Sequence, residues 1–259
     1  MNFFFNKLGK TVKEAKDFSV IKWAEIPPRE GQITRKIIEN FNFKNQILGD
    51  MFVQSKRDSA CYEAFRTTIT DRFGKPVGDE IYSISGKNGD MIGLNIEVKK
   101  EYRQKKGFRF GEVLRLASIM EMIENKASHI KIVSKDTAIY FHSKYKFVPD
   151  FREFGKRDKI LQNILKENSP EFSALKEEAE KIMEEVRVNK ENAAVMRELT
   201  GKTNVLLKKY IQQALKSENP QKEHPLSECI DMILTRENVF SNKDFFNSLF
   251  KKHGINYSI

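Results

Sequence analysis

The most constraining feature of the sequence is a strand, a basic glycine-containing turn and an amphipathic helix in direct succession. From Met91 to Val98 apolar and polar residues alternate, which predicts a strand with one buried face. From Phe108 to Lys126 apolar residues recur every three or four positions, which predicts a helix. The first N–H groups of such a helix lack intrahelical partners and carry partial positive charge. The turn between them is therefore a predicted anion site.

Cations surround this predicted site, and its glycine would let a phosphate approach the backbone closely. A pyrophosphate is the kind of anion that such a helix start holds. The basic residues of the turn and its flanks are Lys99, Lys100, Arg103, Lys105, Lys106 and Arg109.

The composition is that of a globular protein with a basic excess. Hydrophobic residues make up 39% and charged residues 32% of the 259 positions, and the formal net charge is +10. Most of the excess lies in residues 1–155, and by itself it fits nucleic acid, anionic lipid or a phosphorylated small molecule. Two distant cysteines, no signal-like leader and no apolar run of about 20 residues lead us to expect a cytoplasmic protein without a membrane span.

The rest of the N-terminal part predicts a mixed α/β fold of the α+β kind. We expect strands at residues 18–26, 62–70, 80–85, 129–134 and from 147, with helices at 32–42 and 137–145. An Asn-Gly pair at Asn88 and Gly89 predicts a tight hairpin before Met91. The predicted domain, residues 1–155, has a mostly antiparallel sheet flanked by helices.

Residues 156–259 predict an all-α region. Helical periodicity covers 157–167, 170–198, 204–217, 225–236 and 243–252, with Gly201 and Gly254 as expected stops. Few residues are left after Phe147 to close the sheet, so we expect the tail Ile255 to Ile259 to pair there.

Two segments resemble the motifs of the GNAT acetyltransferase superfamily. The family's R/Q-x-x-G-x-G/A motif lies between a strand and a helix, and Gln104-Lys105-Lys106-Gly107-Phe108-Arg109 matches it except at the last position. The segment Ala138-Ile139-Tyr140-Phe141-His142-Ser143-Lys144-Tyr145-Lys146-Phe147 is similar to the family's A-I-x-F-Y-x-K-x-G-F block. The likeness is good over about 60 residues and loose over about 130, and it implies a GNAT-like sheet.

The resemblance also implies a co-substrate, acetyl-CoA, and a place for it. In the family, the strand corresponding to Leu94–Val98 splays from its parallel neighbour, so Ile96 and Val98 would pair with the pantetheine arm. The residues implied to hold the phosphates of CoA are Lys99, Gln104, Lys105, Lys106, Gly107, Phe108, Arg109, Phe110 and Gly111.

Catalytic roles follow from the same resemblance, although the sequence departs from the family here. His142 stands where the family usually has a tyrosine acid, and an imidazolium can protonate a thiolate. Tyr140 and Tyr145 are alternatives for the acid. Glu97 is the candidate base, with a chain of waters as the other option. Arg109 and Lys146 replace a small residue and a glycine of the motifs.

These features predict an enzyme that moves an acetyl group from acetyl-CoA to an amine, on a small molecule or a protein. The helical region would shape the acceptor site, form a homodimer or bind a partner. The alternative is a GNAT-like module without catalysis, whose basic turn holds nucleic acid or another phosphorylated partner. The histidines and cysteines have no metal-ligand spacing, so we expect no metal site.

Overall fold

The computed structural model of the chain describes residues 20–27, 34–60, 63–85, 90–103 and 107–259. Its strands are β1 Lys22–Ile26, β2 Arg35–Asn45, β3 Gly49–Arg57, β4 Ala64–Asp71, β5 Pro76–Ser85, β6 Asp90–Val98, β7 His129–Ser134, β8 Val148–Pro149 and β9 Ile230–Thr235. Its helices are α1 Phe110–Glu124, α2 Ile139–Lys144, α3 Phe154–Leu165, α4 Ser173–Val188, α5 Ala193–Ala214, α6 Pro220–Glu223, α7 Arg236–Ser241 and α8 Lys243–Lys252.

The described strands form one sheet in the order β1-β2-β3-β4-β5-β6-β7-β9-β8. Every neighbouring pair is antiparallel except β6 and β7, which are parallel. This confirms the predicted mixed, mostly antiparallel sheet flanked by helices. The connection from β6 through α1 to β7 is the crossover that a parallel pair requires.

Helix α1 lies across the sheet from β2 to β7. Almost all of it is buried, since it packs against β2, β4, β5, β6 and β7. Near its end, the Glu121 carboxylate accepts hydrogen bonds from the Ile38 backbone N–H at 2.8 Å and the Ser55 hydroxyl at 2.7 Å. The predicted helix over residues 108–126 is thus confirmed, with ends shifted by about a turn or less.

The predicted helix at 32–42 is wrong. Residues 35–45 form β2, and toward its end alternate residues Phe41, Phe43 and Asn45 are buried. The isoleucine spacing that suggested a helix fits a strand as well, because pairing with β1 on one side and β3 on the other decides the conformation. Strand β3 was not expected at all.

The predicted helix at 225–236 is also wrong. Ile230, Met232 and Leu234 are buried on alternate positions of β9, which lies between β7 and β8. This strand closes the sheet where the tail Ile255 to Ile259 was expected to pair. The division into residues 1–155 and 156–259 stays a prediction, and the sheet draws strands from both ranges.

Helices α3 and α8 lie close to the predicted segments 157–167 and 243–252, whereas α6 and α7 were not predicted and one helix break is displaced. Gly201 lies inside α5 rather than at a helix end, and the chain breaks instead before Asn192. There the Asn192 side chain accepts hydrogen bonds from the backbone N–H groups of Ala194 and Val195, which caps α5. Gly254 ends α8 with a positive φ of 67°, as expected. None of the helices within the described ranges could cross a membrane.

Candidate active site

The parallel strands β6 and β7 separate after three residue pairs. The paired residues are Met91 with Ile130, Ile92 with Lys131 and Gly93 with Ile132. A Cβ atom on Gly93 would lie 2.8 Å from Cγ2 of Ile132, so any side chain at this last pair would have to move Ile132 or part the strands. On the opposite edge of β6, Leu94 is an extra residue between the pairs Gly93–Tyr82 and Asn95–Ile81. Such a bulge bends the strand.

A cleft of about 450 Å³ lies where the strands part. It is lined by Glu80, Gly93, Leu94, Asn95, Ile96, Glu97, Val98, Arg103, Arg115, Ile132, Val133, Lys135, Ala138 and His142. Leu94 on one strand is 55% exposed and Val133 on the other is 64% exposed. The predicted burial of the apolar face of β6 is therefore wrong for Ile92 and Leu94, both exposed.

The Val98 end of the cleft, its mouth, lies near the beginning of α1, because a Cβ on Gly111 would be 3.8 Å from Cγ2 of Val98. Gly107 has a φ of +98° and Arg109 a φ of +47°, so two residues with left-handed backbone precede the helix. The Asn45 side-chain amide donates to the carbonyl oxygens of Gly107 and Phe108, each at 3.2 Å, and holds this segment against β2. Concave segments of this kind direct backbone N–H groups toward an anion.

Part of the predicted phosphate site lies outside the described residues, namely Gln104, Lys105 and Lys106. The aromatic rings of Phe108 and Phe110 pack with Tyr102, so only the backbone of these two residues remains for a ligand. At Gly111 a Cβ would lie 3.3 Å from the Phe141 ring, which makes this glycine a contact point between α1 and α2.

The predicted pantetheine-pairing residues, Ile96 and Val98, both line the cleft. From Leu94 to Val98, β6 has no strand partner on its β7 side within the described sheet. The Val98 carbonyl already accepts a hydrogen bond from Nε of Arg103. The Lys99 backbone N–H donates to the Val77 carbonyl at 3.0 Å, which leaves its side chain as the part that could meet a phosphate.

His142 lines the cleft but is not placed to be a charged acid. Its side chain is buried, and Nδ1 lies 3.4 Å from a terminal nitrogen of Arg115. Burial and the Arg115 charge lower the pKa of His142 well below its usual range. The neutral imidazole is therefore favoured at pH 7, which lends no support to the acid role of His142 as an imidazolium, and that role stays a prediction.

The two alternative acids point away from the cleft. The Tyr140 hydroxyl donates to the His224 carbonyl, and the Tyr145 hydroxyl donates to Glu112 at 2.8 Å. Burial raises the pKa of both phenols. Because neither hydroxyl lines the cleft, their expected role as acids has no support in this geometry.

Glu97 lines the cleft as a half-exposed side chain. Its carboxylate pairs with Arg103 at 2.6 Å. The ion pair occupies one side of the carboxylate, and solvent reaches the other. Its role as a base stays a prediction.

Sequence reasoning missed the most buried charges of the cleft, Glu80 on β5 and Arg115 on α1. Their carboxylate and guanidinium are 2.8 Å apart, and each side chain is only 1% exposed. Burial raises the pKa of Glu80, while the Arg115 charge opposes the shift. One signal was available, because Arg115 interrupts the apolar run Val113, Leu114, Leu116 and Ala117 in the middle of α1.

No protein-family model and no curated protein matches the chain. Solved structures do show similarity, beginning with a GNAT-family acetyltransferase from Staphylococcus aureus, at 22% identity and a TM-score of 0.31 over 35% of this chain and 56% of that one. Part of this chain is similar to solved GNAT acetyltransferase structures. That resemblance was the one expected from residues 104–109 and 138–147.

Two further similar structures hold a ligand. A GNAT-family acetyltransferase from Elizabethkingia anophelis with acetyl-CoA bound is 16% identical, with a TM-score of 0.31 over 42% of this chain and 64% of that one. A GNAT-family N-acetyltransferase from Escherichia coli in complex with CoA is 18% identical, with a TM-score of 0.27 over 32% and 45%. The chain spans about half the length of these relatives.

Proposed function

We propose that the chain is an acyl-CoA-dependent N-acetyltransferase that transfers an acetyl group from acetyl-CoA to an amine. The observation that carries this proposal is the separation of β6 from β7 after Gly93, which opens a cleft that is lined at one end by Val98, close to Gly111 in the first turn of α1. A cleft of this form suits a long ligand with an anion at one end and a narrow, partly apolar arm.

The residues present fit such a ligand at both ends. At the mouth, the backbone of Gly107 to Gly111 and the unpaired first amides of α1 would hold a diphosphate, with Lys99 and Arg109 as neighbouring cations. Along the cleft, the free edge of β6 would offer hydrogen bonds to amide groups of the arm, and Leu94 and Val133 would cover its apolar part. Acetyl-CoA supplies a thioester that an amine attacks directly.

The chain's own groups would orient the reactants and exclude water rather than form a covalent intermediate. The described lining of the cleft contains no cysteine or serine, so a direct attack by the amine suits these residues better than a relay through the protein. The acceptor of the acetyl group would be a small amine, or a lysine side chain or the N-terminus of a protein.

Titration calorimetry with CoA, acetyl-CoA and a short single-stranded DNA tests the proposal. We expect micromolar binding of CoA and acetyl-CoA, followed by release of free CoA when n-butylamine, spermidine, L-lysine or a short peptide is added. Salt-sensitive DNA binding without affinity for CoA would overturn the proposal and favour the non-catalytic module.

A further inference from the structure

The deep end of the cleft is built around the ion pair of Glu80 and Arg115. A Cβ on Gly93 would lie 4.0 Å from Oε1 of Glu80, so the carboxylate sits beside the point where the two strands join. The mouth is at the other end, since Gly111 in the first turn of α1 approaches Val98. From Val98 to Gly93 the strand extends roughly 17 Å at ~3.3 Å per residue. An arm anchored at the mouth would direct its far end toward Glu80 and Arg115.

Both members of this pair have an unsatisfied atom. Oε2 of Glu80 and Nε of Arg115 are buried and have no hydrogen-bond partner in the part of the chain that the structure describes. Leaving a buried polar atom unpaired is unfavourable, so a bound ligand that satisfies it gains from the contact. A carboxylate oxygen only accepts hydrogen bonds and a guanidinium nitrogen only donates them. The deep end of the cleft therefore suits two ligand groups, one that donates an N–H and one that accepts through an oxygen.

An N-acetyl transfer brings together these two groups, the N–H of the amine and the carbonyl oxygen of the thioester. We propose that Glu80 and Arg115 are the catalytic pair of the reaction: Oε2 of Glu80 takes the proton of the acceptor amine, and Nε of Arg115 donates to the thioester carbonyl. This inference rests on the proposed function and deepens it. Glu97, His142 and the two tyrosines are not needed for it.

The proposed step balances in atoms and charge. The acceptor ammonium gives one proton to the Glu80 carboxylate, and the freed lone pair forms the N–C bond. Negative charge on the carbonyl oxygen is met by the Arg115 guanidinium, as donors placed in a water-poor site do. The C–S bond then breaks, the second nitrogen proton passes to the departing sulfur, and Glu80 releases its proton to solvent.

The groups that face Glu80 come from three elements. Arg115 on α1 is its ion-pair partner, and His142 on α2 lies beside Arg115 and is neutral. Glu121 on α1 and Tyr82 on β5 are also buried in this layer, and the charge of Glu80 helps raise the pKa of Glu121. Burial raises the pKa of Glu80 from its ordinary value, which makes it a better proton acceptor than an exposed glutamate.

The test compares Glu80→Gln with the matched control Glu121→Gln. Both glutamates are buried between α1 and the sheet, and among the described residues neither has a partner for one of its oxygens, but only Glu80 lines the cleft. CoA release would be measured with acetyl-CoA and the most reactive amine of the four named above. We expect Glu80→Gln to lower kcat about 100-fold or more while CoA affinity stays within about threefold. Glu121→Gln should stay within about threefold of the natural chain in both.

The pH dependence gives a readout that a structural role would not move. In the natural chain kcat should fall as acid protonates Glu80, and in Glu80→Gln this acid limb should be absent. If Glu80→Gln does not fold, Glu80→Asp keeps a carboxylate and should retain the acid limb at a reduced rate. Arg115→Lys keeps the charge without Nε and should lower kcat with little change in CoA affinity.

The outcomes separate the two proposals. A kcat for Glu80→Gln, or in its place Glu80→Asp, equal to that of the natural chain would overturn the catalytic pair and leave the acetyltransferase proposal intact. Absence of CoA binding by the natural chain would overturn the acetyltransferase proposal, and with it the pair.

Discussion

Gly93 on β6 and Ile132 on β7 are the last paired residues before the two parallel strands diverge, and a Cβ on Gly93 would lie 2.8 Å from Cγ2 of Ile132. The glycine thus sets the point at which the cleft begins. A side chain there must push β6 and β7 apart or displace Ile132 into the cleft.

We expect Gly93→Val to weaken binding of acetyl-CoA by about tenfold or more, because the added methyl groups distort the deep end of the cleft. Calorimetry measures the affinity, and thermal unfolding reports the folded state. Gly155→Ala is the control, because no atom lies within 4 Å of its Cβ position on α3. Equal affinity in the two variants would show that the separation point does not shape the ligand site.

Gly107 has a φ of +98°, which other residues rarely adopt, and the atom nearest its Cβ position, Cδ1 of Ile47 at 2.9 Å, is the movable end of an exposed side chain. Gly107→Val should therefore rearrange the turn before α1 and strongly reduce CoA affinity. Gly74→Val is the matched control, because Gly74 has a similar φ of +78° with open space around it, in the hairpin between β4 and β5. Both variants carry the same kind of backbone strain. Unchanged CoA binding by the first would place the diphosphate elsewhere.

Glu112 at the start of α1 holds the C-terminal end of the chain. Although burial alone would raise it, hydrogen bonds from His253, Lys252 and Tyr145 lower the pKa of Glu112 to about 2. The unfolded value is higher, near 4.5, so these bonds stabilise the fold fully above that pH and the contribution is lost as pH falls toward 2. Glu112→Gln should cost about 3 kcal/mol at pH 7 and less at pH 3. Urea unfolding at both pH values measures this, and an equal loss at each would contradict it.

Glu121 should behave in the opposite sense. Burial raises its pKa to about 7, so its charged form opposes folding, and stability falls as pH rises from about 4.5 through 7. A glutamine keeps an oxygen for Ile38 and Ser55 and removes the charge. We expect Glu121→Gln to be more stable than the natural chain at pH 8, and the difference to vanish near pH 4. Chemical unfolding across this range checks the sign.

Strand β9 ties the residues after 155 into the sheet, and Leu234 is a buried member of it. Leu234→Ala should destabilise the whole chain by about 3 kcal/mol, because a cavity opens within the shared core. Val205→Ala on α5 is the control, since Val205 is exposed. If the two substitutions cost the same in urea unfolding, β9 contributes little to the core.

The sequence pattern predicted an element correctly where the periodicity of that segment alone decided its conformation. Helix α1, strand β7 and helix α2 lie where the sequence predicted them. The helix predictions for segments 32–42 and 225–236 are wrong because the apolar spacing of these segments fits the period of a strand as well as that of a helix. There, pairing with neighbouring strands outweighs a weak local preference.

The sequence by itself determined a basic turn between a strand and a helix, the mixed sheet and the resemblance to GNAT acetyltransferases. Only the tertiary structure decided which side chains meet in the cleft. Tyr140 and Tyr145 turn to partners outside it, His142 loses its charge through burial beside Arg115, and Glu80 and Arg115 meet across 35 positions of chain. The burial of a side chain and its hydrogen-bond partners depend on residues that are distant in sequence. Burial and partners in turn set the protonation state of the side chain and the way it points.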